Sequence, residues 1–567
     1  MAAAFSLALA IALFDVRPAD LAIPIWYEGD ALYSLALVKG VVDHGSLLRN
    51  PDLGAPHGLE FHDFLNPYGL HFAALHAIAL FTDEPGAAVN ALWLLGFAAI
   101  AACAFAALRL LGLPRAESAV AAVLYAFLPY HLERGEKHLF LSMYYMVPLA
   151  AALAVRLHRD TSPLRVTAPA ALGAAAVALG IGASGAYYAY FACFFFAAAG
   201  VLAGLATRRL APLASGAALV ALVVASVGVG LAPSLLYWSE HGANPRVAKR
   251  IAAEAELYGL KIAPMLLPIP AHPIHGWAEL RRRYDQRTPL RDVGGAATLG
   301  LLGTAGFLLL VARALARAGG WRGAPRLLDS LAALNLAGLL LATTSGFGAV
   351  LARLGLRTIR AYDRISIWLA FFALAAVIVA AKPLRERLLR TRAGAAAGLA
   401  LLAAVLGIGL VDLVSPAYLP DRATVRRQFE ADRAFVRAAE AVLPADTAVF
   451  QLPHVEYPEA VGPGRMELLE SLRPALHARS LRWSHGAMKG RPAGDAIAAL
   501  AARPPVALPG ALAVAGYGAL LVDRFGYAPA QEAALRAAIE PRLGAPLVES
   551  GDGRFLLYAL PPSDAGR

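Results

Sequence analysis

With 567 residues, 59% of them hydrophobic and only 16% charged, the chain falls well below the roughly 25% charge of a soluble domain. Its net charge of +11 does not indicate a nucleic-acid partner, because the basic residues sit in short loops between apolar runs and form no stripe interleaved with aromatics. Cys103 and Cys193, the two cysteines, both lie inside apolar runs; they read as buried thiols and support neither a disulfide framework nor a zinc site.

The charge deficit is uneven. Long apolar stretches fill residues 66–415, whereas 416–567 has the make-up of an ordinary soluble protein, so two domains are expected, 1–415 and 416–567. The opening run, 2–14, covers about 21 Å of a hydrocarbon core about 30 Å thick. It lacks the basic n-region of a signal peptide and is read as a first helix whose upstream end is left open. Residues 15–65 are polar, except that 32–42 is apolar enough to lie on a membrane surface as a helix. The run 67–81 holds His71 and His76 and suits an interfacial or re-entrant helix better than a full span.

Spans are then expected at 87–111, 116–130, 139–157, 166–183, 186–206, 211–233, 293–314, 327–345, 364–382 and 393–415, making about eleven with the first. Alternate loops carry Arg109 and Arg115; Arg156, Arg159 and Arg165; Arg208 and Arg209; Arg313, Arg317, Arg322 and Arg326; and Lys382, Arg385, Arg387, Arg390 and Arg392. Such short basic loops face the cytoplasm. The loops 15–86, 131–138, 234–292 and 346–363 and the C-terminal domain then face outside. A span at 67–81 would invert this phase, so the charge bias also argues that it is interfacial. Beyond 416, strands are predicted at 448–452, 519–522, 546–549 and 555–559, and helices at 465–472, 495–502 and 530–539, giving a small α/β domain. It carries no phosphate-binding glycine loop, GxSxG elbow or HExxH. The expected architecture is an all-α polytopic membrane bundle with an appended α/β unit.

Polar residues are expensive near a bilayer, and here they cluster on the outer side. Trp26-Tyr27-Glu28-Gly29-Asp30 sets two carboxylates around a glycine just beyond the first helix. The apolar helix that follows would hold Glu28 and Asp30 at the membrane boundary. His57, His62 and Asp63 come later in the same loop. The 131–138 loop, from His131 to His138, carries four charges and two histidines. Arg134, Glu136 and Lys137 read as hydrated helix ends, while His131 and His138 are candidates for binding; as metal ligands the pair is incomplete. Arg357, Arg360 and Arg364 stand on the external side against the charge bias. They form either local pairs, such as Arg360 with Asp363, or an anion site, since guanidinium forks match phosphate oxygens. Tyr187, at the outer end of the 186–206 run, is a further substrate-binding candidate. In 234–292 the apolar, proline-rich stretch 264–273 reads as an irregular lid.

At these residues the chain resembles the GT-C superfamily of integral-membrane glycosyltransferases, which use polyprenyl-phosphate sugars. Tyr27-Glu28-Gly29-Asp30 stands where that superfamily carries a carboxylate in the first external loop. Residues 234–292 match the long loop after the seventh span, and the resemblance covers roughly 1–415. It is nearer to bacterial members with an arginine-bearing segment before a late span, here Arg360-Ala361-Tyr362-Asp363-Arg364, and an appended external domain. Phe450-Gln451-Leu452-Pro453 and Arg482-Trp483-Ser484-His485-Gly486-Ala487 look like recurrent elements of such domains.

The resemblance implies a glycosyltransferase in the bacterial inner membrane, with its site on the external face. Asp30 would be the general base, with Glu28 beside it. Arg360 and Arg364 would hold the donor phosphate, and His57, His62, His131, His138 and Tyr187 would line the substrate. Its partners would be a polyprenyl-phosphate-linked sugar, a glycan acceptor and the bilayer, with no nucleic acid. The resemblance fixes no cofactor: some members need a divalent ion and others do not, so a cation beside the second carboxylate stays open. The rival reading is a lipid-linked sugar flippase or polysaccharide translocase without catalysis. That would need polar groups through the bundle, where the spans hold few beyond Asn335, Thr343 and Thr344. An acyltransferase using His131 or His138 as base is the second enzymatic alternative.

Overall fold

The computed structural model describes residues 1–65, 67–160, 169–289, 295–321 and 323–562. Six helices among them are long and apolar enough to cross a membrane: Pro85–Leu110, Ala186–Thr207, Ala211–His241, Gly300–Ala318, Tyr362–Ala380 and Arg392–Leu413. They differ in what surrounds them. Trp368, Phe371 and Phe372 of the 362–380 helix are fully buried, whereas Ala211–His241 exposes Val224, Val229 and Leu236, and Arg392–Leu413 exposes Leu399 and Ile408. Such continuous apolar exposure is costly in water and is what lipid-facing helices present. The chain is thus a multi-pass membrane protein with one helix near its centre and others at its rim.

Each of the eleven apolar runs contains a helix, but several helices are shorter than the runs. The 116–130 run breaks into Arg115–Ala126 and Pro129–Arg134, with Pro129 opening the second piece. A proline is tolerated only in a first turn and pushes its predecessor out of the α region. The 139–157 run likewise divides into Leu139–Ser142 and Met146–Asp160, with Pro148 in the first turn of the latter. The 67–81 run yields Gly69–Ala79, eleven residues, about 16 Å long. Arg165 and Arg322 of the basic loops lie outside the described residues. Asp30–His44 forms a helix as expected, but ten of its residues, from Ala31 to Val41, are buried under protein, so its role is not that of a bare surface helix.

Within the loop that follows the first helix, β1 (Arg49–Asn50) pairs antiparallel with β2 (Leu59–Glu60). The C-terminal sheet contains β3 (Ala448–Leu452), β4 (Arg482–Trp483), β5 (Ala519–Asp523), β6 (Val548–Glu549) and β7 (Phe555–Ala559), in the order β4-β3-β5-β7-β6. The β4-β3-β5 part is parallel and β5-β7-β6 antiparallel. Side chains alternate between the two faces. Phe450, Leu520, Val522 and Leu556 point into a separate core closed by Ile497, Leu508, Leu512 and Ile539 of the helices that cover that face. Val449, Leu521 and Leu557 point the other way, into a core continuous with the membrane helices.

Between that second face and the membrane bundle lies Arg422–Val442, an amphipathic helix that the sequence reading overlooked. Asp421 caps it, accepting from the N–H groups of Ala423 and Thr424. The helix expected at 465–472 is corrected: only Glu470–Leu472 is helical there, as a 3-10 turn leading into Arg473–His477. Leu469, at φ +66°, cannot continue a right-handed helix.

The same loop completes the C-terminal sheet. Leu53 bridges Trp483 in parallel sense. Trp483 N–H donates to the Asp52 carbonyl at 2.7 Å, Ala55 N–H to Trp483 at 2.9 Å and Gly54 N–H to His485 at 3.0 Å. Residues 52–55 therefore occupy the open edge of β4, which would otherwise present unpaired backbone groups.

Candidate functional site

The segment leading to Glu28 and Asp30 is irregular, so its backbone groups need partners outside regular structure. They come from four directions. Asn90, on Pro85–Leu110, accepts from Ile25 N–H at 3.1 Å and donates to the carbonyls of Leu21 and Ile23. Arg422 donates to the Pro24 carbonyl at 2.7 Å. Glu136 accepts from Trp26 N–H at 3.0 Å. Arg473 donates to the Tyr27 carbonyl at 3.3 Å.

The loop bearing Glu136 fits closely against this strap. A Cβ on Gly135, at φ +48°, would lie 2.9 Å from the Trp26 ring, so only glycine suits that position. Gly29 then turns the chain at φ +49°, and Asp30 opens the Asp30–His44 helix.

At the turn the carboxylates diverge. Glu28 reaches outward and pairs at 2.7 Å with the part-exposed Lys137. Asp30 is half-buried and lies 3.4 Å from His138 Nε2. Burial raises the Asp30 carboxyl above its ordinary value, and Arg134 opposes that shift. Burial, with Arg134, Arg364 and Lys137 adding to it, pushes His138 well below the ordinary imidazole value. Asp30 and His138 are thus close neighbours, with the imidazole held toward its neutral form.

Arg134 and Glu136 overturn their reading as hydrated helix ends, since both are buried. Arg134 pairs with Asp363 and Glu133, each at 3.7 Å. Burial pushes the Glu136 carboxyl up to about 8, against the pull of the Trp26 N–H. Lys137 remains part-exposed.

Arg360 and Arg364 have different surroundings. Arg360 forms an ion pair with Glu254 at 2.6 Å and lies over the Tyr258 ring; Asp363 is not its partner. Arg364 stacks on the Tyr187 ring at 4.0 Å. Among the described residues it has no carboxylate partner, and its Nε is buried without a hydrogen-bond partner. The Tyr187 hydroxyl in turn accepts from the N–H groups of Arg360 and Ala361 at 3.5 and 3.4 Å, so this tyrosine fixes the arginine segment from below.

The other histidines are engaged elsewhere. His131 is a core residue: its ring stacks on Phe97 at 4.0 Å and its Nδ1 pairs with the Ala126 carbonyl at 2.9 Å. His62 is buried against Tyr237 at 4.5 Å and pairs with Ser234. Asp63 beside it accepts from Arg491, Trp238 and Asn244. His57 is exposed on the turn that follows the β4 contact. Of the nine sequence-predicted site residues, the structure gathers Asp30, His138, Arg364 and Tyr187 into one neighbourhood, with Glu28 on its rim and Arg360 tied to Glu254. Arg134, which the sequence reading set aside, joins them. Its signal was a charged residue inside a loop too short to stay wet.

Among the described residues, the one group with metal-ligating geometry is Asp43, His44 and Asp52. It lies at the far end of the Asp30–His44 helix, about 21 Å from Asp30 by helical rise.

No family model and no curated protein matches the sequence, but solved structures do. ArnT from Cupriavidus metallidurans in the apo state is 14% identical at a TM-score of 0.52, over 98% of this chain and 97% of its own. The form bound to undecaprenyl phosphate gives 12% and 0.51, over 100% and 99%. Arabinofuranosyltransferase AftD from Mycobacteria gives 16% and 0.51 over 100% of this chain but 41% of AftD, so the chain spans about two fifths of AftD's length. These proteins are GT-C glycosyltransferases, and the chain has their fold.

Proposed function

We propose that the chain is a membrane glycosyltransferase that moves a sugar from a polyprenyl-phosphate donor to a glycan or other external acceptor, with Asp30 as general base. One observation carries the reading: a half-buried carboxylate and an arginine without a carboxylate partner share His138 as neighbour, at the ends of apolar helices. A lipid-linked sugar phosphate offers matching groups, an apolar tail for the bundle and an anion for Arg364. ArnT, whose fold the chain shares, has been solved with undecaprenyl phosphate.

Neutral His138 orients Asp30 and leaves its second oxygen for the acceptor. As the acceptor hydroxyl attacks the anomeric carbon, its proton passes to Asp30. The bond from that carbon to the phosphate oxygen breaks, and the electron pair leaves with the phosphate. Arg364, held flat on Tyr187, meets the negative charge developing there. Arg360, already matched by Glu254, takes second place. A single in-line displacement inverts the anomeric configuration.

This reading carries a topology: the loops 15–86 and 234–292 and the unit 416–567, which would help hold the acceptor, on the external face of the bacterial inner membrane, with eleven spans. The basic loops support it. A cysteine at Val514, 75% exposed, serves as the reporter. It should react with an impermeant thiol reagent in right-side-out spheroplasts, and labelling only after lysis would invert the topology. The activity is tested with purified protein and a panel of pentosyl- and hexosyl-phosphoundecaprenols, following release of undecaprenyl phosphate. Turnover that vanishes in Asp30→Asn is expected. Turnover unchanged in both Asp30→Asn and Glu28→Gln would overturn the reading.

A further inference from the structure

Tyr27, two residues before the turn at Gly29, is 1% exposed and is held from the C-terminal unit at three points. Its hydroxyl donates to Asp432 at 2.9 Å. The same oxygen lies 2.8 Å from His477 Nε2. Tyr27 spends its single proton on Asp432, so His477 must donate its own. Burial, helped by Arg433 and Arg473, pushes His477 down to about 3, which leaves it a neutral donor. The third hold is Arg473, whose guanidinium lies 4.7 Å from the centre of the Tyr27 ring and donates to the Tyr27 carbonyl.

That carbonyl belongs to the peptide bond entering Glu28, so its orientation sets the course of the Glu28-Gly29-Asp30 turn. Arg473 is itself fixed by Asp432, Gln428 and Glu470, and Glu470 by Arg554 at 3.0 Å. Among the described residues, Arg473 is the one hydrogen-bond partner of the Tyr27 carbonyl, at the turn that aims Asp30.

We propose that the C-terminal unit is a positioning half of the catalytic site: Arg473, Asp432 and His477 grip Tyr27 and so fix the Asp30 carboxylate against His138. The inference rests on the glycosyltransferase reading and deepens it. The distant unit sets the aim of the base, in addition to any contact with acceptor. A base displaced by about 1 Å loses on the order of a hundredfold in rate, while binding of the lipid phosphate at Arg364 is untouched.

The test uses the full chain with whichever phosphoundecaprenol sugar the wild type turns over. Tyr27→Phe keeps the ring and removes the hydroxyl. It should lower kcat by at least about tenfold, leave the donor KM and the binding of undecaprenyl phosphate alone within about twofold, and move the acidic limb of the kcat profile to lower pH as Asp30 relaxes toward water. Arg473→Lys keeps the charge but loses the fork, and should show the loss of kcat with faster hydrogen exchange across residues 24–32. It carries the test alone if Tyr27→Phe does not accumulate as folded protein.

Wild-type kcat and pH limb in both Tyr27→Phe and Arg473→Lys, with Asp30→Asn inactive, would overturn the inference and leave the functional reading intact. Parallel loss of kcat and donor binding would make the network merely structural and overturn it too. A wild type inert on the whole panel would instead remove the functional reading.

Discussion

The helix Asp30–His44 carries a carboxylate–histidine pair at each end, and the two pairs are built differently. At its N-terminus, Asp30 meets His138 at 3.4 Å beside the buried Arg134 and within the influence of Arg364. At its C-terminus, His44 meets Asp52 at 2.8 Å, with Asp43 close by and solvent around them. The first setting raises an acid and keeps an imidazole neutral. The second leaves three ligand atoms within 4.8 Å of one another, and Asp43 is also drawn to Lys39. Residue types alone do not separate a base from a chelate; burial and neighbouring cations do.

The largest expected effect lies at the first pair. Asp30→Asn should lower kcat by about 10²–10⁴-fold, the range of general-base catalysis, while Asp52→Asn stays close to wild type. Measured rates of release of undecaprenyl phosphate that reverse this order would move the chemistry to the other end of the helix. Next in size is the contrast between the arginines. Arg364→Ala should weaken binding of undecaprenyl phosphate about 10–100-fold, the worth of a lost charge-assisted hydrogen bond. Arg360→Ala should cost only a few-fold, because its charge already serves Glu254. Equal losses in a binding titration would mean that both guanidiniums face the anion.

A smaller effect concerns pH. The Asp30 carboxyl is raised by burial, and a base works only when ionised. The rate should therefore fall as pH drops through a value above that of an ordinary aspartate. Arg134→Gln removes the cation that opposes the shift, so the acidic limb should move further up. A limb moving down in that variant would break the assignment. Smallest is His44→Ala, expected to leave kcat and melting temperature within error in the absence of added metal.

Much of this site was legible in the sequence. Carboxylates just past a first helix, an arginine-bearing segment before a late apolar run and strands such as Ala448–Leu452 and Phe555–Ala559 follow from local pattern and charge. What stayed hidden depends on contacts far apart in the chain. Tyr27 and Asp432 are 405 residues apart, and nothing in either neighbourhood announces the other. His131 and His138 differ by seven positions, yet one ring is stacked in the core and the other faces a carboxylate; short loops fold back too sharply for spacing to tell which. Arg422–Val442 went unread because an amphipathic helix directly after the last apolar run looks like a hydrophilic linker until its buried face has a sheet to lie on.

The sheet edge completed by residues 52–55 also sets the timing of the molecule's maturation. Those backbone groups wait for Trp483 and His485, made about 430 residues later. At roughly 5–20 residues per second of synthesis, the nascent chain spends about 20–90 s with the loop after its first helix unmoored. Throughout that interval the strap before Asp30 also lacks Arg422 and Arg473. On the proposed function, a ribosome-bound intermediate should therefore be catalytically silent, and activity should appear only when the last third of the chain has closed over its first.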